Sequence, residues 1–270
     1  MKKIALILIA GIIASCNNKD NTTVNDGDRV SFKLDFSKQK TITYNYSQEM
    51  VQTGSMVEFM DVSNVLIKAN SKAEWIIIDT ATARLSILKM NTTMLQRDAS
   101  NKVIDSMSSQ MGDLTISDIN YYGRVKDIDQ QTLMTSFFAL PDHPIKIGES
   151  DTINATIKST GNGIATNIPG VTIVKYIKNE EKFGRNCAVL SVESKIIMEE
   201  VINNQSFEMI GSGTCYFDLK NKIIVYGSSK TTMSQQMKTP SISGNPFGDE
   251  VPENISANME TTINFELLED

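Results

Sequence analysis

From residue 29 onward, apolar and polar residues alternate with a period of two. Val30, Phe32, Leu34 and Phe36 take turns with Ser31, Lys33, Asp35 and Ser37, and Ile42, Tyr44 and Tyr46 with Thr41, Thr43 and Asn45. Successive residues of an extended strand point to opposite faces, so this pattern predicts a sheet with one dry side. Val57, Phe59, Val65 and Ile67 continue the habit, and Trp75 to Ile78 is apolar at every position, as an interior strand would be. Further strands are expected at 85–87, 114–116, 145–147, 152–157, 171–177, 187–192, 206–210, 213–217, 223–233 and 259–268. Turn residues separate them, as in Lys182-Phe183-Gly184-Arg185 and over 218–221.

Helical periodicity is scarce. Residues 130–140 place Leu133, Met134, Phe137 and Phe138 on one face before Pro141, which predicts one short helix there. Residues 105–112 are expected to add a turn of helix. The stretch 239–256 holds Pro240, Pro246, Pro252, Gly244 and Gly248 and reads as a long loop inside a final hairpin. The fold expected is therefore mainly β, with large twisted antiparallel sheets in one domain over 29–270. An internal echo, Asp98-Ala99-Ser100-Asn101-Lys102-Val103-Ile104 against Asp218-Leu219-Lys220-Asn221-Lys222-Ile223-Ile224, leaves open a duplication into halves 29–139 and 140–270.

The opening residues follow a different rule. Lys2 and Lys3 precede an unbroken apolar run from Ile4 to Ala14. A membrane-spanning helix needs roughly 20 apolar residues, so the run fits a secretory signal over 1–15 instead. It ends Ile13-Ala14-Ser15-Cys16, an aliphatic residue and two small ones before a cysteine. That is the pattern of a bacterial lipobox, in which the Cys16 thiol is acylated and becomes the new N-terminus. Each buried methylene of an acyl chain contributes about 0.8 kcal/mol, so a multiply acylated, palmitate-type Cys16 is a durable membrane anchor. Residues 16–28 are polar apart from Val24 and read as a flexible tether. Asn17 follows Cys16 where the enteric sorting rule would place Asp to retain a lipoprotein at the inner membrane, so the outer membrane is the expected address.

Composition narrows the function. The 270 residues are 40% hydrophobic and carry 26 basic against 32 acidic groups, and loss of 1–15 with Lys2 and Lys3 leaves 24 basic and a net charge of -8. No basic stripe remains, which excludes nucleic acid as an expected partner. Cys187 and Cys215 lie in strand-like runs, and in an oxidising compartment their pairing stays open beside two buried thiols. His143 is the only histidine and sits in a Pro141-Asp142-His143-Pro144 turn. No Gly-x-Ser-x-Gly elbow, Cys-x-x-Cys pair or phosphate-binding loop accompanies it, so no catalytic residue, metal ligand or cofactor is expected. The acidic pairs Glu199-Glu200 and Asp142 near Glu149 are a weak hydrolase pattern, because adjacent strand residues face opposite sides. Methionine is abundant, and Met56/Met60, Met90/Met94, Met107/Met111 and Met233/Met237 are each four apart, which puts both members on one face of a strand.

Leu140-Pro141-Asp142-His143-Pro144-Ile145-Lys146-Ile147-Gly148-Glu149-Ser150 resembles a "P-x-x-P-V-x-V-G-D-S" segment found in an uncharacterised, domain-of-unknown-function family of Bacteroidetes-type lipoproteins. The hairpin from Leu34 to Tyr46, Gly184-Arg185 before Cys187 to Leu190, and Gly211-Ser212-Gly213 followed by Phe217-Asp218 and Asn221 match it as well, over roughly residues 30–240. The family places an aromatic, usually Trp, where Asp151-Thr152 stand here. The resemblance implies a β-rich exported lipoprotein of the cell envelope and brings no activity with it. The function expected is non-enzymatic binding of a hydrophobic ligand or an envelope partner by a sheet whose inner face carries Met, Phe and Leu. A structural accessory and a carboxylate hydrolase are the alternatives.

Overall fold

The computed structural model describes residues 28–37, 40–58, 62–125, 140–161, 164–202, 205–238 and 254–268. The signal segment, Cys16, most of the tether, residues 130–139 of the expected helix and 239–253 of the expected loop lie outside these residues, as does Phe59, and the loop's last three positions, 254–256, are strand. The strands are β1 (Thr41–Thr53), β2 (Asn64–Ile77), β3 (Ala83–Arg97), β4 (Val103–Gln110), β5 (Leu114–Ile119), β6 (Ser150–Gly161), β7 (Ile164–Lys182), β8 (Arg185–Ile202), β9 (Gln205–Asp218), β10 (Ile223–Lys238) and β11 (Asn254–Leu267). A four-residue helix, α1 (Ser55–Glu58), stands between β1 and β2.

All of the strands belong to one antiparallel sheet, in the order β4-β3-β2-β1-β11-β10-β9-β8-β7-β6. Two meanders run along it and join where the first strand pairs the last, with Tyr46 opposite Phe265. β4 and β5 share one edge of β3, the first against Asn91–Arg97 and the second against Ala83–Ile87. They amount to one edge strand broken at Gly112-Asp113, where the Asp113 carboxylate accepts the amide of Lys89 at 2.9 Å. Lys89 has φ 30 beside a register shift in the β2–β3 ladder, so the break and a bulge coincide. The expected turn of helix at 105–112 is therefore β4. Val103, Ile104, Met107 and Met111 do lie at helical spacing, but the intervening Ser-rich sequence favours helix weakly, and the edge of β3 supplies the hydrogen bonds.

Residues 30–36 do not join the sheet as a strand. Val30 makes an isolated bridge with Ile145, the Leu34 amide donates to Tyr121 O, and the Asp35 amide donates to Lys222 O. The segment crosses the inner side of the sheet near one end, and its alternation drives Phe32, Leu34 and Phe36 into the core. Phe32 meets Tyr176 of β7 and Phe217 of β9 edge-on at 5.2 and 5.5 Å, and Phe36 faces Tyr121 beyond β5. One hydrophobic cluster thus holds Ile116 and Ile119 from one edge together with Ile153 and Val174 from the other. Both edges reach the same core only because the sheet curls around this plug. Val57, expected in a strand, is buried in α1 and packs on Val65. Residues 145–147 contribute only the Ile145 bridge.

Turn chemistry is as expected. Phe183 and Gly184 both have positive φ, giving a two-residue hairpin whose twist matches the flanking strands. In the echoed turns, Asp98 accepts the amides of Ser100 and Lys102, and Asp218 those of Lys220 and Asn221. The left-handed residue is Asn101 in one and Lys222 in the other. β3 enters its turn running away from the core end, whereas β9 enters its turn running toward it. The two turns therefore sit at opposite ends of the sheet, and both are aspartate-capped hairpins.

Candidate functional site on the inner face of the sheet

Cross-strand register assigns every strand residue to a face. At the core end, Tyr176, Leu190, Cys215, Gly227, Phe265 and Tyr46 oppose one another in a continuous row facing the plug. This end is filled, with only a crevice of about 10 Å³ between Leu34, Tyr44, Trp75 and Ile224. Tyr44 closes it by donating its hydroxyl to Ile224 O at 2.8 Å.

The strands continue well past this core. Next along the inner face comes a belt of smaller side chains, with Val192, Gly213, Ser229, Ile263, Gln48, Ala69 and Thr92 directly opposed in sequence across the sheet. Beyond it Met209, Met233 and Met259 stand opposite one another on β9, β10 and β11. Met50 opposes Ile67, which opposes Met94, which opposes Met107. Of the pairs expected four apart, Met94, Met107 and Met233 reach this face, whereas Met56 stands in α1, Met111 follows β4 outside a strand, and Met60 lies outside the described residues. Met209 is buried with Ile168 and Ile196, and Phe207 and Met233 pack against them. Ile67 and Met94 pack under α1 with Val57 and Val62.

Charge is partitioned between the faces. Along β1–β3 and β9–β11, and over 168–176 and 188–196 of β7 and β8, no inward position among the described residues is charged. Glu49, Lys68, Glu193, Lys195, Glu208, Lys230 and Glu260 all point outward and are exposed. Two of their pairs, Lys68–Glu49 at 3.2 Å and Lys230–Glu260 at 2.8 Å, lie in solvent and add little stability. An open groove of about 400 Å³ crosses the outer side between Val51, Ile210, Thr232, Glu208 and Glu260, and its two acids make it a poor seat for an apolar molecule.

The remaining candidates separate cleanly. Cys187 and Cys215 are free thiols. Cys215 opposes Leu190 on the inner face, and Cys187, three residues from Leu190, points to the other side, so the disulfide left open by the sequence does not form. Burial pushes the Cys187 thiol up to about 11, helped by the Asp218 carboxylate, and pushes Cys215 up to about 12. Both are inert as nucleophiles. His143 Nδ1 lies 3.1 Å from Asp142 Oδ1 and 3.6 Å from Asp151 Oδ1 on an exposed turn. These three are the group among the described residues whose donors lie close enough for a metal ion. Their contacts are already mutual: Asp142 pairs with Arg124 at 3.0 Å, and Asp151 accepts the Asp142 amide at 3.2 Å. The bond to His143, together with Arg124, outweighs burial and holds the Asp142 carboxyl below its ordinary value. Glu149 binds Arg29 at 3.0 Å and does not meet Asp142 as a carboxylate pair.

No family model matches the chain, and no curated protein matches it either.

Proposed function

We propose that this chain is an exported lipoprotein, anchored through Cys16 at the outer membrane, that works without catalysis by binding a hydrophobic ligand on the inner face of its sheet. The observation that carries the reading is the inner face of β1–β3 and β9–β11 beyond the filled core, uncharged among the described residues, with Met50, Met94, Met209, Met233 and Met259 along it. Methionine side chains are flexible and polarizable, so they re-pack around apolar molecules of varied shape. Burying apolar ligand surface there gains about 25 cal/mol per Å² with no charge to desolvate. The leader ending at Cys16 supports export and anchoring. Full-length chain carrying Cys16→Ser, prepared without detergent, is expected to bind pyrene and raise its fluorescence, and the unaltered chain to fractionate with the outer membrane. Absence of saturable pyrene binding overturns the ligand reading, and unchanged fractionation of the Cys16→Ser chain overturns the anchor.

A second reading, docking of an envelope protein, draws on β4. All of its residues are exposed, including Val103, Ile104 and Met107, and among the described residues no strand pairs its outer edge.

A further inference from the structure

Resting on the ligand reading above, we infer that the ligand is an uncharged amphiphile, an apolar chain with a hydroxyl- or ester-bearing head, and that the head sits on the belt between the core and the methionines. Two observations converge. First, along β1–β3 and β9–β11 no inward position among the described residues is charged, and the inward acids, Asp105 of β4 and Asp151 of β6, stand at the two edges of the sheet. A carboxylate or ammonium taken there would lose its hydration with nothing in return, which costs several kcal/mol.

Second, the belt carries hydroxyls that the protein leaves unused. The Thr92 Oγ1 atom is buried and has no hydrogen-bond partner. Ser229 is 5% exposed and belongs to the same row of opposed residues, and its hydroxyl has no partner among the described residues. One level further out, Thr172 and Ser194 bond each other at 2.9 Å, so buried hydroxyls on this face pair where they can reach. A buried hydroxyl without a partner costs about 1–3 kcal/mol, a penalty that a ligand's carbonyl or hydroxyl would remove. The apolar tail would then run outward over Met233 and Met259.

The test compares three probes on the full-length Cys16→Ser chain: 1-monododecanoylglycerol, dodecanoate at about pH 9 where its carboxyl is ionised, and pyrene. The glycerol lipid is expected to bind at least about tenfold more tightly than dodecanoate. Ser229→Ala and Thr92→Val should weaken the glycerol lipid about fivefold or more and leave pyrene unchanged. Neither substitution removes a bond the folded chain makes, so both variants should fold as the parent does. Equal binding of dodecanoate, pyrene bound without the glycerol lipid, or a loss shared by all probes overturns this inference while the ligand reading stands. Failure of all three probes overturns both.

Discussion

At Asp218 a single carboxylate organises a turn, a strand end and an ion pair. It is 1% exposed, accepts the amides of Lys220 and Asn221 and the Asn221 side chain, and meets Arg185 Nη1 at 3.1 Å. Burial raises its pKa, but these donors together outweigh burial and hold it below the ordinary 3.8. Replacing it by Asn should cost about 2 kcal/mol in chemical denaturation, because Arg185 and the turn amides lose a charged acceptor. The sign of the pH effect follows. A lowered folded-state pKa stabilises the fold fully above about 3.8, and that contribution drains away as pH falls through the lower folded value. The stability gap between the parent and Asp218→Asn should therefore narrow as pH falls below the ordinary 3.8, and a gap that stays constant in acid contradicts this account. The two thiols give a second residue-scale prediction. With Cys16→Ser, neither Cys187 nor Cys215 should react with Ellman's reagent in the native protein at about pH 8, and both should react on unfolding. The aspartate-capped turn was legible in the sequence, since Asp and Asn suit turn dihedrals. The disulfide question was not, because facing depends on register, and one residue of offset sends a side chain to the other face.

Among the elements, the segment over 30–36 shows where alternation misleads. A period of two requires one dry and one wet side, and a plug laid across a curled sheet satisfies that as well as a strand does. Phe32 is 0% exposed between Tyr176 and Phe217, so Phe32→Ala should lower stability by about 3–5 kcal/mol in urea. A loss under about 1 kcal/mol would mean that the segment is not what closes the core. Strand lengths were harder to read than strand existence. β7 runs from Ile164 to Lys182 where only 171–177 alternates cleanly, because Pro169 and Gly170 interrupt the apolar pattern between Ile168 and Val171. β4 lacks the Lys or Pro that usually blunts an edge. Ile104→Lys should reduce self-association seen in light scattering of concentrated protein, and no change would show that this edge is already protected.

The described residues form a curled sheet closed at one end by the segment over 30–36 and uncharged along the inner side of β1–β3 and β9–β11. The pairing of β1 with β11, which joins the two meanders, was not legible, since no local pattern specifies a partner at that distance in the chain. The charge partition was half legible: alternation showed that charges keep to one face of each strand, but only the register shows that all of these faces coincide. At this scale the paired variants Met233→Glu and Thr232→Glu are informative, because adjacent residues of β10 face opposite sides. Met233→Glu should weaken pyrene about tenfold or more, and Thr232→Glu should have little effect. Equal effects would place the probe elsewhere. The most direct measurement is native mass spectrometry of the chain carrying Cys16→Ser, purified without detergent from its own host. The account predicts a population heavier than the bare chain by the mass of an uncharged lipid-like molecule, lost in Met233→Glu. A single species at the mass of the bare chain, in parent and variant alike, would contradict it.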